Sequence, residues 1–384
     1  HVNASADGSL GAPTLTGWDF EANKALGAPD PSADGAKAAL VPAVDQGASL
    51  DYYIKFDGVG DGKWLSLDAF SLGFDNQVSL GSSGGGVSAG KVTASDLSSL
   101  LGSSALSAEL AAALTSGEHI KDVQIEAYQS GGDKGSQLID EFKFSDVQID
   151  GLQTGGSGGG IANEVSFLFA QYGQTHVTYD GSGQVSSTDG TGWDFAADKS
   201  AGAPAVQADA AKTPLEPQVG PQASLEYYVH VDGVNGWLQV DSFSMGLSNP
   251  VTLGTGGGGS SAGRAHASDV SMTLGMSAAL VQLEADLFKG ANLQNVEVEV
   301  YQAGGSKGPQ LVDEFQFKDV VVDSLSSADV TSNALSFAYG AYTHGHVNAS
   351  ADGSLGAPTL TGWDFEANHA ITPPAPHPDV DLFS

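Results

Sequence analysis

Three stretches of the 384-residue chain carry the Gly-x-Ser-x-Gly spacing of a serine nucleophile, at residues 81–85, 155–159 and 259–263. Such a serine works on a sharp turn between a buried strand and a helix, where its hydroxyl stands above a sheet. Each of these lies in a Gly/Ser-rich run such as SLGSSGGGVSAG, and no helical pattern follows. In a chain with 52 glycines, chance matches are expected. Residues 85–91, GGVSAGK, approach a phosphate loop. The next residue should be Ser or Thr to hold magnesium, but it is Val92, and Arg264 stands at the place of Lys91 in a second copy of the motif. A strand is expected after it, so no helix N-terminus would face a phosphate. Residues 57–62, DGVGDG, follow a calcium loop only in outline, because Val59 breaks the ligand pattern and the bidentate Glu is missing. The nine His are scattered; His344 and His346 stand two apart at a domain end, outside any zinc-ligand spacing. Cysteine is absent, which removes thiolate chemistry, disulfides and Cys-based zinc sites. The expectation is a chain that is not an enzyme, with no catalytic residue, no cofactor and no specific metal site.

The charge balance points the same way. Forty-six acidic residues against 14 basic ones give a net charge of −32. Binding nucleic acid takes clustered Lys and Arg, so that partner is excluded. Screening of so many carboxylates by cations, calcium included, stays open. The 41% hydrophobic content is enough for packed cores, and no run approaches the ~18 apolar residues of a membrane helix. An acidic, Cys-free, Gly-rich composition fits a soluble bacterial protein that is secreted. The sequence starts at His1 without a charged-then-apolar leader, and reads as a processed product or a window on something longer.

Self-similarity sets the organisation. HVNASADGSLGAPTLTGWDFEAN begins at His1 and returns letter for letter at His346, and a divergent copy, HVTYDGSGQVSSTDGTGWDFAAD, begins at His176. Between these markers, SLDYYIKFDGV from Ser49 matches SLEYYVHVDGV from Ser224, SAGKVTASDL from Ser88 matches SAGRAHASDV from Ser261, and VQIEAYQSGG from Val123 matches VEVEVYQAGG from Val296. The expected division is a tail-repeat segment with an Ala/Pro/Gly linker over 1–46, a first domain with its tail over 47–198, a linker over 199–221, a second domain with its tail over 222–368, and a Pro-rich end over 369–384. Tyr52, Ile54 and Phe56 alternate with polar neighbours, as do the residues from Trp64 to Phe74 and from Phe142 to Ile149, which predicts strands. Asp57-Gly58 and Asp232-Gly233 are turn signals. Leu106, Leu110 and Leu114 in the first unit, and Leu280, Leu283 and Leu287 in the second, follow helical spacing that Gly117 and Gly290 end. Each unit is therefore a mainly antiparallel β domain with one amphipathic helix.

The tails carry a repeated TGWDF: Trp18, Asp19 and Phe20; Trp193, Asp194 and Phe195; Trp363, Asp364 and Phe365. An aromatic in a polar, Gly-rich tail must bury its apolar area somewhere, either on its own domain or on a neighbouring domain or chain. The order of motifs resembles one family. A YYIKFDGV strand, a Trp-bearing strand ending in SLGF, a Gly-rich loop, AGKVTASDL, a helix ending in TSGEHI, the strand IEAYQSGG and EVSFLFAQ together resemble the haemolysin-coregulated proteins (Hcp), the inner-tube proteins of bacterial type VI secretion. The resemblance spans nearly all of 49–198 and 224–368. It implies a two-sheet β-barrel with one helix in each domain, here in tandem, and assembly of the chain with itself into rings that stack as a tube or filament, with secreted cargo as a further partner. It implies export from a bacterium, or a cytoplasmic tube before export. It also implies that the extended loops 76–90 and 248–263 are contact loops reaching a neighbouring ring, with Asn76, Ser88, Ser248 and Ser261 as assembly residues beside the three TGWDF segments.

Overall fold

The computed structural model describes residues 17–19, 24–26, 50–80, 87–102, 105–130, 136–157, 160–205, 225–234, 236–253, 260–275, 278–302, 309–327, 333–347 and 356–376. They are mainly β, with a helix in each repeat. Residues 1–48 with 74–94 form one compact unit, and residues 49–73 with 95–384 form another.

Among its described residues the smaller unit holds two hairpins. In the first, β1 (Gly17–Asp19) pairs with β2 (Lys24–Leu26), with Trp18 opposite Ala25. The second pairs β6 (Phe74–Leu80) with β7 (Val87–Ala94); the strand expected after GGVSAGK already begins inside that motif, at Val87.

The larger unit contains the two repeats. The first body consists of β3 (Leu50–Phe56), β4 (Leu65–Leu67), β5 (Ala69–Ser71), β8 (Leu97–Gly102), α1 (Ala105–Ser116), β9 (Ile120–Ser130), β10 (Ser136–Ser157), β11 (Gly160–Tyr179), β12 (Val185–Asp194) and β13 (Lys199–Ser200). All pairings are antiparallel, in the order β4-β3-β9-β10-β11-β8-β5. The circuit closes because β4 and β5 are one strand bent at Asp68, whose N–H donates to Leu100 O at 3.0 Å. A barrel closed this way has no loose edges except where a strand overshoots.

The second body repeats this plan. Its strands are β14 (Leu225–Val231), β15 (Trp237–Val240), β16 (Ser242–Ser248), β17 (Val251–Leu253), β18 (Ser260–Ala262), β19 (His266–Ala267), β20 (Val270–Leu274), β21 (Asn292–Gln302), β22 (Gln310–Ser327), β23 (Asn333–Ala338), β24 (Ala341–His346), β25 (Thr359–Asp364) and β26 (His369–Ala370), with α2 (Ala278–Lys289) between β20 and β21. The bend falls at Asp241, whose N–H donates to Thr273 O at 2.8 Å.

Alternation decides which residues fill the barrels. Ile54 and Phe56 point inward from β3, as Tyr227, Val229 and Val231 do from β14, and all are buried. In the first barrel Phe144 meets Phe167 and Phe169 edge-on, at 5.8 and 4.8 Å between centroids. In the second, Phe317 meets Phe337 at 5.4 Å. Pairs of this kind add about 0.5–1.5 kcal/mol each beyond their buried area. Asp146 and Asp319 stand at matching places in the two long strands with φ near +53°. Asp tolerates that left-handed conformation better than most residues, and the kink lets one strand serve two neighbours along its length. Both helices end as their glycines predict. Gly117 N–H donates to Leu114 O and Glu118 N–H to Ala113 O, and Gly290 and Ala291 repeat the pattern on Leu287 and Asp286.

Candidate assembly surfaces

The feature that organises the larger unit is a strand pairing between the repeats. The C-terminal half of β10 runs past β9 while still paired with β11, and its other edge lies antiparallel along β16 of the second body, from Gly151 opposite Ser248 to Ser157 opposite Ser242. One glycine permits it: a Cβ on Gly156 would stand 2.8 Å from the buried Tyr227 ring. Burial pushes the Tyr227 hydroxyl up to about 12, with the Asp313 carboxylate adding to the effect. Phe243, Met245, Leu247 and Leu152 are all buried along the joint.

Asn249 locks its far end. Its backbone N–H donates to Asp150 O at 2.9 Å, and its Nδ2 donates to Leu114 O at the end of α1, also at 2.9 Å. The side chain is fully enclosed. Gly117, just past the helix, is pressed against Ala262 in β18, so the β17–β18 hairpin packs on the first body. On its other side α1 packs against β25 and β26, the tail of the second body. The small residues Ala108, Ala111 and Thr115 form that face and are buried.

The loop residues expected to assemble fall into three places. Ser248 is the terminal pair of the joint. Ser261 sits in β18 with its Oγ 2.9 Å from the Thr252 hydroxyl, a cross-strand pair that helps order this Gly-rich segment as a hairpin. Asn76 is exposed on β6 and Ser88 pairs with Ser79 in the same hairpin. The TGWDF segments form one hairpin three times: Trp18 opposite Ala25, Trp193 opposite Ser200 and Trp363 opposite Ala370. Its second strands, at 199–200 and 369–370, lie just beyond the tail boundaries read from the sequence. In the two bodies the aromatic side chains pack on their own barrel. Phe195 meets Phe169 at 5.7 Å, Phe365 stacks on Tyr342 at 5.9 Å, and Trp363 is buried while Trp193 is half-buried. Asp194 and Asp364 accept the N–H of Ala197 and Ala367 at 2.7 Å and so hold the turn. Trp18 and Asp19 belong to β1 by backbone pairing, and Phe20 lies outside the described residues.

Three groupings are not evident in the sequence. Arg264, the counterpart of Lys91 in the phosphate-loop comparison, donates instead to Phe365 O and, at 2.6 Å, to Glu366 O. It clamps the tail of its own body. His344 and His346, two apart on β24, both reach Asp313 Oδ1 on β22 at 2.9 Å, and Phe315 stacks on His344 at 4.2 Å. Burial alone would raise the Asp313 carboxyl, but the two imidazoles overcome it and hold it down to about 2. Glu297, Glu299 and Glu314 also bring carboxylate oxygens within 4.8 Å of one another, and donors already serve them: Gln316 Nε2 bonds Glu314 at 2.8 Å and Tyr301 OH bonds Glu299 at 2.8 Å.

The two-body plan finds its match among known proteins. A family model described as "Type VI secretion system effector, Hcp" covers residues 58–179 and 228–346, one stretch in each body. The chain belongs to the Hcp family. It is a tandem of two Hcp-like domains, each mainly β with one helix. Among solved structures, a type six secretion system protein is 24% identical, with 40% of this chain and 100% of that one covered and a TM-score of 0.36. Hcp1 from Salmonella typhimurium is 18% identical over 40% of this chain and 99% of its own, with a TM-score of 0.32. A type VI secretion system effector from Yersinia pestis is 21% identical over 38% and 99%, with a TM-score of 0.28. No curated protein matches the chain.

Proposed function

We propose that this chain is a non-enzymatic structural component of a bacterial type VI-like secretion apparatus, and that its two Hcp-like bodies supply adjacent positions in a self-assembled ring. The observation that carries this reading is the β10–β16 joint. Two barrels related by sequence repeat are fused edge to edge through a shared strand pairing and a buried cap, which is how repeated units are set side by side rather than strung on a flexible tether. With two bodies per chain, a ring of six positions would take three chains. Such rings would stack into a tube or filament that functions outside the producing cell. The acidic surface keeps such a polymer soluble. Negative-stain images of the purified chain, with native mass measurement, test this. Rings of three chains with a pseudo-sixfold outline are expected. A chain that stays single at high concentration, or a ring of six chains, overturns the reading.

A further inference from the structure

The buried carboxylate of the second body, Asp313, lies beneath the joint, and its counterpart in the first body, Asp140, lies beneath none. From β10 an aromatic path leads down to Asp313. Gly156 lies against the Tyr227 ring, Tyr227 meets Phe243 and Phe243 meets Phe315, each at 5.5 Å between centroids, and Phe315 stacks on His344. The first body repeats the path, with Tyr52 meeting Phe70 at 5.6 Å and Phe70 meeting Phe142 at 5.4 Å. Among the described residues, however, β5 pairs with β8 and with no strand of the other repeat. Burial follows that division at every position. Tyr227, Phe243, Phe315, His344 and His346 are buried, whereas Tyr52, Phe70, Phe142, Gln174 and His176, which hold the same places in the repeat, are half-buried. The Asp313 and His346 side chains are 1% and 0% exposed, and those of Asp140 and His176 are 19% and 31%. One His–Asp pair is dry beside a joined edge, and the other is wet beside an edge without a joint.

A single charge in a site without water is costly, and an opposite charge in contact with it offsets most of that cost. Asp313 Oδ1 accepts from His344 Nε2 and from His346 Nδ1, both at 2.9 Å. Burial pushes the Asp313 carboxyl up, and the charge of His346 is the largest of the effects that pull it down to about 2. Attraction between two charges acts on both of them, so ionised Asp313 equally favours the charged form of His346. We propose that the joint is proton-linked: with β10 in place His346 carries a proton paired with ionised Asp313, and loss of that proton loosens β10 from β16. Opening the joint lets water reach the Tyr227 end of the path, as it reaches Tyr52 in the first body, and the open form no longer depends on the proton. A proton held more tightly by the closed form gives stability that is fully present below the ordinary imidazole value of about 6.5 and is lost as pH rises above it. Tyr227 of β14 also faces the pair, and its hydroxyl, pushed up to about 12, stays protonated through this range. Val300 of β21 opposite Asp313, Thr359 of β25 opposite His346, Phe243 of β16, Gly156 of β10 and Pro376 beside Gly345 bring no charge. Glu299 and Glu314 stand on the other face of their strands. Because one chain holds every residue involved, this link is independent of the ring reading.

Two measurements on the full chain test the link. Imidazole nitrogen NMR reads the charge on His346, which should be mainly cationic at pH 7; a neutral ring there overturns the link. Amide exchange, expressed as protection relative to the intrinsic rate at each pH, reads the joint. Protection of the β10–β16 pairs should fall about tenfold between pH 5.5 and pH 8.5, the effect of a proton bound about one pH unit more tightly in the closed form. The β3–β9 pairs should keep theirs, because opening of the joint is a local event. His346→Gln should flatten the pH dependence of the joint, and His176→Gln, at the wet site, should leave it unchanged. A joint whose protection does not change with pH, a slope that survives His346→Gln, or an equal loss from β3–β9 overturns the link. Where His346→Gln does not fold, the ring signal and the slope of the wild-type chain decide it alone.

Discussion

The two bodies follow one plan, yet the same positions live in different surroundings. Ala108 on α1 is buried against the tail of the second body, and Val281, its counterpart on α2, is bare. Asp140 in the first body is reached by Gln174 at 3.0 Å and by His176 at 3.1 Å, near the surface. Asp313, its counterpart, is fully enclosed and held by two imidazoles. Gln174 and His344 occupy the same place in the repeat. The difference teaches that the repeats have diverged by neighbourhood. The α1 face toward the second body is small where α2 carries Val281 and Phe288, and the enclosed Asp313 has two imidazole partners where Asp140 has one.

The largest expected effect separates the two carboxylates. Asp313→Ala leaves two buried imidazoles without their acceptor, and removing one partner from a buried charged network costs about 3–5 kcal/mol. Asp140→Ala, at a partly solvated site, should cost under about 1 kcal/mol. Urea unfolding of both variants measures the gap, and equal losses would erase the distinction between the sites. Acid gives a second reading of Asp313. Its folded value, about 2, lies below the ordinary 3.8, so the stabilisation is present above the unfolded value and is lost as pH falls toward 2. A shift of this size corresponds to about 2 kcal/mol. Stability between pH 5 and pH 2 should therefore fall more steeply in the wild type than in Asp313→Ala.

A smaller effect sharpens the comparison of the helices. Ala108→Val places the residue of α2 on the covered face of α1, where extra volume in a packed site costs about 1–3 kcal/mol. The reverse change, Val281→Ala, should stay within about 0.5 kcal/mol for the single chain, because the side chain is exposed. Thermal melts of dilute protein decide it. If Ala108→Val were neutral, α1 would not be clamped between its own barrel and the tail of the second body.

Much of this was legible in the sequence. The exact return of the His1 segment at His346 gives the period, and the alternation in YYIKF and YYVHV gives the strands that bracket each core. Gly117 and Gly290 mark both helix ends, because only a residue that accepts positive φ closes the last turn that way. The joint was not legible. Gly155, Gly156 and Ser157 read as a Gly-rich loop with a chance nucleophile spacing, yet they are strand residues. Glycine lowers strand propensity, and here the Tyr227 ring requires the missing side chain at Gly156. His344 and His346 read as scattered. Their spacing of two does put them on one face of a strand, but Asp313 joins them only through register, which a single sequence does not carry. Arg264 stands in the sequence only as the replacement for Lys91 in a failed phosphate loop, and its partners are two carbonyls about a hundred residues away that spacing does not show.

The smallest expected effect concerns the two asparagines, and it isolates the joint from the barrels. Asn249→Ala removes the bond to Leu114 O and leaves the backbone N–H bond to Asp150 O in place. Leu114 O keeps the N–H of Gly117, so the helix end is not stripped bare, and the loss should be about 1 kcal/mol. Asn76→Ala in the single chain should lie within a few tenths of a kcal/mol, since Asn76 is exposed. Hydrogen exchange locates the effect better than a global melt does. Faster exchange in Asn249→Ala should be confined to the last turn of α1 and to the β10–β16 pairing, while β3 and β9 stay protected, because opening of a joint is a local event and not unfolding of a barrel. Loss of protection throughout the first body would mean that the joint and the barrel unfold as one, and that the two repeats are parts of a single core rather than two units held together at a seam.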